Sequence, residues 1–180
     1  FLGKNISLET NLRMDEETVK GKFSVINPKW NYTDRSLIAS IESSTTDRMG
    51  DYGYETSTTG FSFGSSWEQY DDLFFTPKIA SSYEKLDTIQ TASDKLKKQE
   101  GEYFDTKFSY GLILDKRNKR FQTTDGYASK FNQSIPLISD DYAFYNSYEY
   151  TTFNQLKDIV TRFSIQARAI NSLNDEDVRV

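Results

Sequence analysis

The sequence predicts an all-β protein, an antiparallel up-and-down meander of about nine strands, and three observations carry that prediction. Apolar and polar residues alternate with period two over stretches of roughly ten to twelve residues, the signature of strands with one apolar and one wet face. Aromatics make up 15% of the chain, with 13 Phe and 12 Tyr, while hydrophobic residues as a whole reach only 36%. No segment repeats its apolar residues at the helical spacing. Tyr and Phe set among Ser, Thr, Asn, Asp and Lys suit half-exposed strands, and their number excludes a disordered chain.

The first strand is expected over residues 4–14, where Ile6, Leu8, Thr10, Leu12 and Met14 oppose Asn5, Ser7, Glu9, Asn11 and Arg13. The second, over 17–27, sets Val19, Gly21, Phe23 and Val25 against Thr18, Lys20, Lys22 and Ser24. Strands over 34–46, 53–66 and 72–86 follow. Over 101–115 the alternation is strict: Phe104, Thr106, Phe108, Tyr110, Leu112 and Leu114 against Asp105, Lys107, Ser109 and Gly111. Strands over 126–136 and 142–153 lead to the last, 158–170. There Ile159, Thr161, Phe163, Ile165, Ala167 and Ala169 oppose Arg162, Ser164, Gln166 and Arg168. Tilted strands of this length cross a bilayer, so length and repetition favour a membrane barrel over a soluble sandwich. Closure into a barrel also removes the open edges a meander would leave.

The connections are expected to alternate between two ends. Residues 27–34, 67–71, 116–125 and 154–157 fall at one end, and 15–16, 47–51, 86–101 and 137–141 at the other. Tyr52, Tyr54, Trp67, Tyr70, Phe74, Phe75, Tyr103, Phe121, Tyr127, Tyr142, Phe144, Tyr145 and Phe153 lie near strand ends, where membrane barrels carry aromatic girdles. Lys20, Lys22, Asp105, Lys107, Arg162 and Arg168 fall on the polar faces. They would line a lumen, with ion pairs to Glu9, Glu149 or Asp105.

Charge and composition exclude several classes. A net charge of −5 and a pI near 4.9 argue against nucleic-acid binding. The chain has no Cys and no His, which removes thiol chemistry, disulfides, imidazole bases and the commonest zinc ligand. No catalytic residue, cofactor or metal site is therefore expected. Asp71-Asp72, Asp140-Asp141 and Asp175-Glu176-Asp177 lack calcium-loop spacing and read as solvated loop acids. Asp47 to Gly53 reads as a turn, and Lys95-Leu96-Lys97-Lys98, beside Asp94, Glu100 and Glu102, as a solvated loop rather than a lipopolysaccharide site. There is no run of 18 apolar residues and hence no transmembrane helix. No signal peptide is visible, and a start at Phe1 rather than Met reads as a fragment or a processed piece.

Phe1-Leu2-Gly3 before an alternating strand, then Val25-Ile26-Asn27-Pro28 before a new one, resembles the barrel of the BamA family, the bacterial surface antigens that assemble outer-membrane proteins. The most specific match runs from Phe108-Ser109-Tyr110-Gly111 through Asp115-Lys116-Arg117 to Thr124-Asp125-Gly126-Tyr127. In the family this is a strand, a tight periplasmic turn with Asp-x-Arg, and a Thr-x-Gly opening the next strand. Thr123 stands where the family has Pro.

The resemblance implies that residues 1–180 are a partial transmembrane barrel domain, strands three to eleven of sixteen, with the POTRA repeats and remaining strands outside it. It implies residence in the bacterial outer membrane and an insertase that folds other barrels without catalytic chemistry. Its partners would be membrane lipid and lipopolysaccharide, unfolded outer-membrane proteins as clients, and accessory lipoproteins reached through the POTRA repeats. A passive porin or transporter barrel and a TamA-type barrel are the alternatives.

Overall fold

The computed structural model describes residues 6–139 and 142–172. Nine strands follow one another: β1 (Ser7–Met14), β2 (Thr18–Asn27), β3 (Ser36–Arg48), β4 (Tyr54–Tyr70), β5 (Leu73–Thr88), β6 (Gly101–Asp115), β7 (Gly126–Ile138), β8 (Ala143–Leu156) and β9 (Ile159–Ser172). They form one antiparallel sheet in which sequence neighbours are always sheet neighbours. Within the described residues the sheet is open, with β1 and β9 at its edges.

Strand ends depart from expectation where pairing outlasts alternation. β4 runs four residues further than expected, because Trp67 and Glu68 pair with Phe75 and Phe74 before a bulge and a turn at Asp71-Asp72. β3 gains Asp47 and Arg48, paired with Glu55 and Tyr54. Among the described residues, helical structure is confined to connections: a 3-10 turn at Trp30–Tyr32 and α1 (Asp94–Lys98). The Ser93 hydroxyl caps α1 by accepting from the Leu96 N–H at 3.3 Å. Five residues are too few to leave a helical period in the sequence.

Register joins the separate apolar faces into one continuous surface. Leu8 lies opposite Val25, Phe23 opposite Ile41, Ile41 opposite Phe61, Phe63 opposite Ile79, and Ile79 opposite Phe108. Phe131 continues the row opposite Leu112, and Tyr150 opposite Ile165. The other face brings Lys22 opposite Glu42, Ala80 opposite Lys107 and Lys130 opposite Glu149. A cavity of about 460 Å³ on that face is lined by Ser24, Ser40, Ser62, Lys78, Ser109 and Asn132 from six consecutive strands. Six neighbouring strands share one cavity only around a concave wall, so this face is termed inward and the apolar one outward.

The wall has almost no core. Among the described residues only Leu86, Ala92 and Ala143 are buried hydrophobics, and no large side chain is fully buried. Outward Ile41, Phe61 and Phe63 are instead 60%, 59% and 54% exposed. An apolar face of this extent is not left against water in a monomeric soluble protein.

Charge sorting is equally one-sided. The strand charges on the outward face are Asp47, Glu55, Lys85, Asp87 and Glu102, and all sit at one end, in register across β3 to β6. Along β5, outward positions from Leu73 to Tyr83 carry no charge. At a rise of about 3.4 Å per residue and a tilt near 40°, these eleven residues cover about 25 Å of membrane depth, the height of a barrel's apolar band.

Candidate functional site: the inward wall and the turn after β6

The turn between β6 and β7 is a built object. The Asp115 carboxylate accepts two bonds from Arg117, Nε to Oδ1 at 2.7 Å and Nη2 to Oδ2 at 2.7 Å, a bidentate fork that fixes both side chains. Asn118 organises the rest: its Oδ1 accepts from the N–H groups of Thr124 and Asp125, and its Nδ2 donates to Thr124 Oγ1 at 2.7 Å. The Asn118 N–H closes the loop on the Asp125 carbonyl at 3.0 Å. Gly126 has φ +97°, and a Cβ there would fall 2.2 Å from the Lys116 carbonyl oxygen, so only glycine opens β7 in this way. Lys116 reaches the neighbouring turn, where its ammonium meets Asp72 at 2.7 Å. That carboxylate beside it holds Lys116 above the ordinary lysine range.

The structure thus gathers Asp115, Arg117, Thr124, Asp125 and Gly126 into one turn. Asn118 also belongs to it, Asp72 of the neighbouring turn braces it through Lys116, and neither was singled out from the sequence in this role. A side chain whose function is to receive backbone N–H groups leaves no spacing signature beyond Asn in a loop.

The polar-face residues all lie on the inward wall. Lys20 and Lys22 converge on Glu42, at 2.8 Å and 3.8 Å, and not on Glu9 or Glu149 as expected from the sequence. Gly60 lies opposite Glu42 in register. Asp105 is buried to 7% exposure, accepts from the Ser139 hydroxyl, and pairs with Lys107 at 3.8 Å. The Lys107 ammonium stands 5.1 Å from the Tyr145 ring. Arg162 stacks on Phe153 at 5.8 Å and donates to Ser164, and Arg168 lies opposite Ser147 without an ion pair among the described residues. A cavity of about 300 Å³ unites the turn with this wall: Asp115, Arg117, Lys130, Glu149, Phe153 and Arg162 line it together.

The expected girdle divides in two. Trp67, Phe75 and Tyr127 face outward, whereas Phe74, Tyr103, Tyr145 and Phe153 fall on the inward face by register. Proximity to a strand end says nothing of facing, which the pairing alone decides. Asp140-Asp141 and Asp175-Glu176-Asp177 lie outside the described residues. Among the described residues no cluster of three or more acids could hold a metal.

A coreless antiparallel meander, apolar outside and charged inside, defines the wall of a β-barrel. The chain belongs to the Omp85 superfamily, whose domain model matches residues 1–180. Its fold is similar to that of BamA from Haemophilus ducreyi lacking POTRA domains 1-3, with a TM-score of 0.81 and 17% sequence identity. The match covers 98% of this chain and 37% of that one, so the chain spans little more than a third of its relative. No curated protein sequence matches the chain.

Proposed function

We propose that this wall belongs to a barrel in the bacterial outer membrane that folds and inserts other barrel proteins. One observation carries the membrane reading: the outward face is apolar and exposed for about 25 Å of depth, with every strand charge turned inward or gathered beyond one edge. Superfamily membership and the likeness to BamA support the assembly role. Such a barrel works without catalytic chemistry or cofactor. An unpaired client strand in lipid leaves costly backbone groups unsatisfied, so pairing with an exposed strand edge drives its insertion. The wall described here would be the fixed part of that machine. Clients, lipopolysaccharide and, through POTRA repeats, accessory lipoproteins would be its partners.

The test uses the full-length protein. In detergent it should migrate faster on a gel before boiling than after. Reconstituted in vesicles it should speed the folding of an added unfolded outer-membrane barrel at least several-fold over protein-free vesicles. A gel shift with no acceleration would refute the assembly role while leaving the barrel standing.

A further inference from the structure

We infer that the outward face carries a phospholipid headgroup site, built from Arg35 and Trp67 at the end of the sheet shared with the Asp115–Gly126 turn. It rests on the membrane reading above. Trp67 ends the outward row Phe61, Phe63, Ser65, Trp67 on β4, and Phe75 on β5 packs edge-on against it at 5.1 Å between centroids. The Phe75 ring leads on to Tyr110 at 6.1 Å, and Tyr110 to Phe131 at 6.2 Å, so the indole is continuous with the apolar band. Over its face, 5.2 Å from the ring centroid, lies the Arg35 guanidinium.

That cation is placed for a phosphate. Arg35 forms no ion pair among the described residues, and its guanidinium is held against the ring by stacking alone. It sits just before β3 begins at Ser36, beyond the last outward apolar residue of that strand, Leu37. This is the depth at which acyl chain gives way to headgroup, where aromatics settle and cations meet lipid phosphate. A planar fork stacked on an indole binds a phosphodiester in two-point fashion while its underside stays dry.

The connection before it is shaped for the same boundary. Trp30 is 52% and Tyr32 91% exposed, and Asn31 and Tyr32 hold left-handed backbone at φ 51° and 60°. A left-handed tyrosine is a costly conformation, kept here by the bonds from Thr33 Oγ1 to the Trp30 carbonyl and from the Trp30 N–H to the Arg35 carbonyl. The occupant is therefore one phospholipid, its tails on Phe75 and Trp67 and its phosphate on Arg35.

Native mass spectrometry of the full-length protein in detergent, titrated with dioleoyl phosphatidylglycerol, tests it. Arg35→Ala should weaken the tightest-held lipid about tenfold, the loss of one charged hydrogen-bonding partner. Arg35→Lys should fall between, since an ammonium keeps the charge without the fork, and Lys119→Ala should change nothing. Equal binding by wild type and Arg35→Ala, both still heat-modifiable on a gel, would overturn the site alone. A wild type with no heat-dependent shift would overturn the membrane reading and the site with it.

Discussion

The two faces of this sheet are made by the same nine strands, yet they resolve the problem of polar groups in opposite ways. The outward face excludes charge throughout its central band and carries hydroxyls and amides, many of them bonded to their neighbours. Ser81 meets Thr106 at 2.8 Å, and Gln133 accepts from the Tyr110 hydroxyl at 2.9 Å while donating to Asn146 at 2.7 Å. The inward face admits charge freely and offsets it by pairing across adjacent strands, as Glu42 does between Lys20 and Lys22. Polar tolerance is thus set by which side of a strand a residue occupies, one position apart along the chain.

Adjacent substitutions break that comparison most sharply. Phe61→Lys puts a charge in the middle of the outward band and should cost about 2–4 kcal/mol of folding into vesicles, while Ser62→Lys, facing inward, should cost less than about 1 kcal/mol. Equal costs, read from urea midpoints in lipid vesicles, would mean that the two faces do not see different solvents.

A backbone test comes next. Gly126→Ala meets both a left-handed φ and the Lys116 carbonyl, and should cost about 1–3 kcal/mol by the same measurement. Gly50→Ala, which meets nothing within 4 Å, should be neutral.

The smallest effect concerns the brace between turns. Because Asp72 raises the Lys116 pKa in the folded state, the stabilisation is whole below the ordinary lysine value of about 10.4 and is lost as pH rises through the raised one. Wild type should therefore lose more stability than Lys116→Met between pH 9 and 12, on the order of a minor shift in urea midpoint. Parallel curves for the two proteins would remove the brace from the account.

Much of the fold was legible because alternation is a local property. The two-residue period of Ile6 to Met14 or Phe104 to Leu114 states where a strand runs and which side chains share a face. Facing relative to neighbouring strands is a different matter, since it depends on register. That is why Glu42 went unnoticed as the partner of Lys20 and Lys22: it lies twenty residues along the chain and becomes adjacent only when Lys22 pairs with it. The same reason misplaced Phe74 and Phe153 in an outward girdle. Within the turn, Asp115, Arg117 and Gly126 were legible through their motif, whereas Asn118 acts through its amide on backbone groups and any loop asparagine looks alike in sequence.

The openness of the sheet has a consequence for its charges. A strand tilted near 40° takes up about 6 Å of circumference, so nine of them sweep about 56 Å. A circle closed by these strands alone would have a radius of about 9 Å, and a barrel that includes further strands is wider still. In that wider tube, side chains on opposite walls stand too far apart to touch. An inward ion that is paired there finds its counterion on its own strand or the next, as Lys20, Lys22 and Lys107 do. The inward face is thus a polar lining whose ion pairs are short-range, made within a strand or between neighbours rather than across the tube.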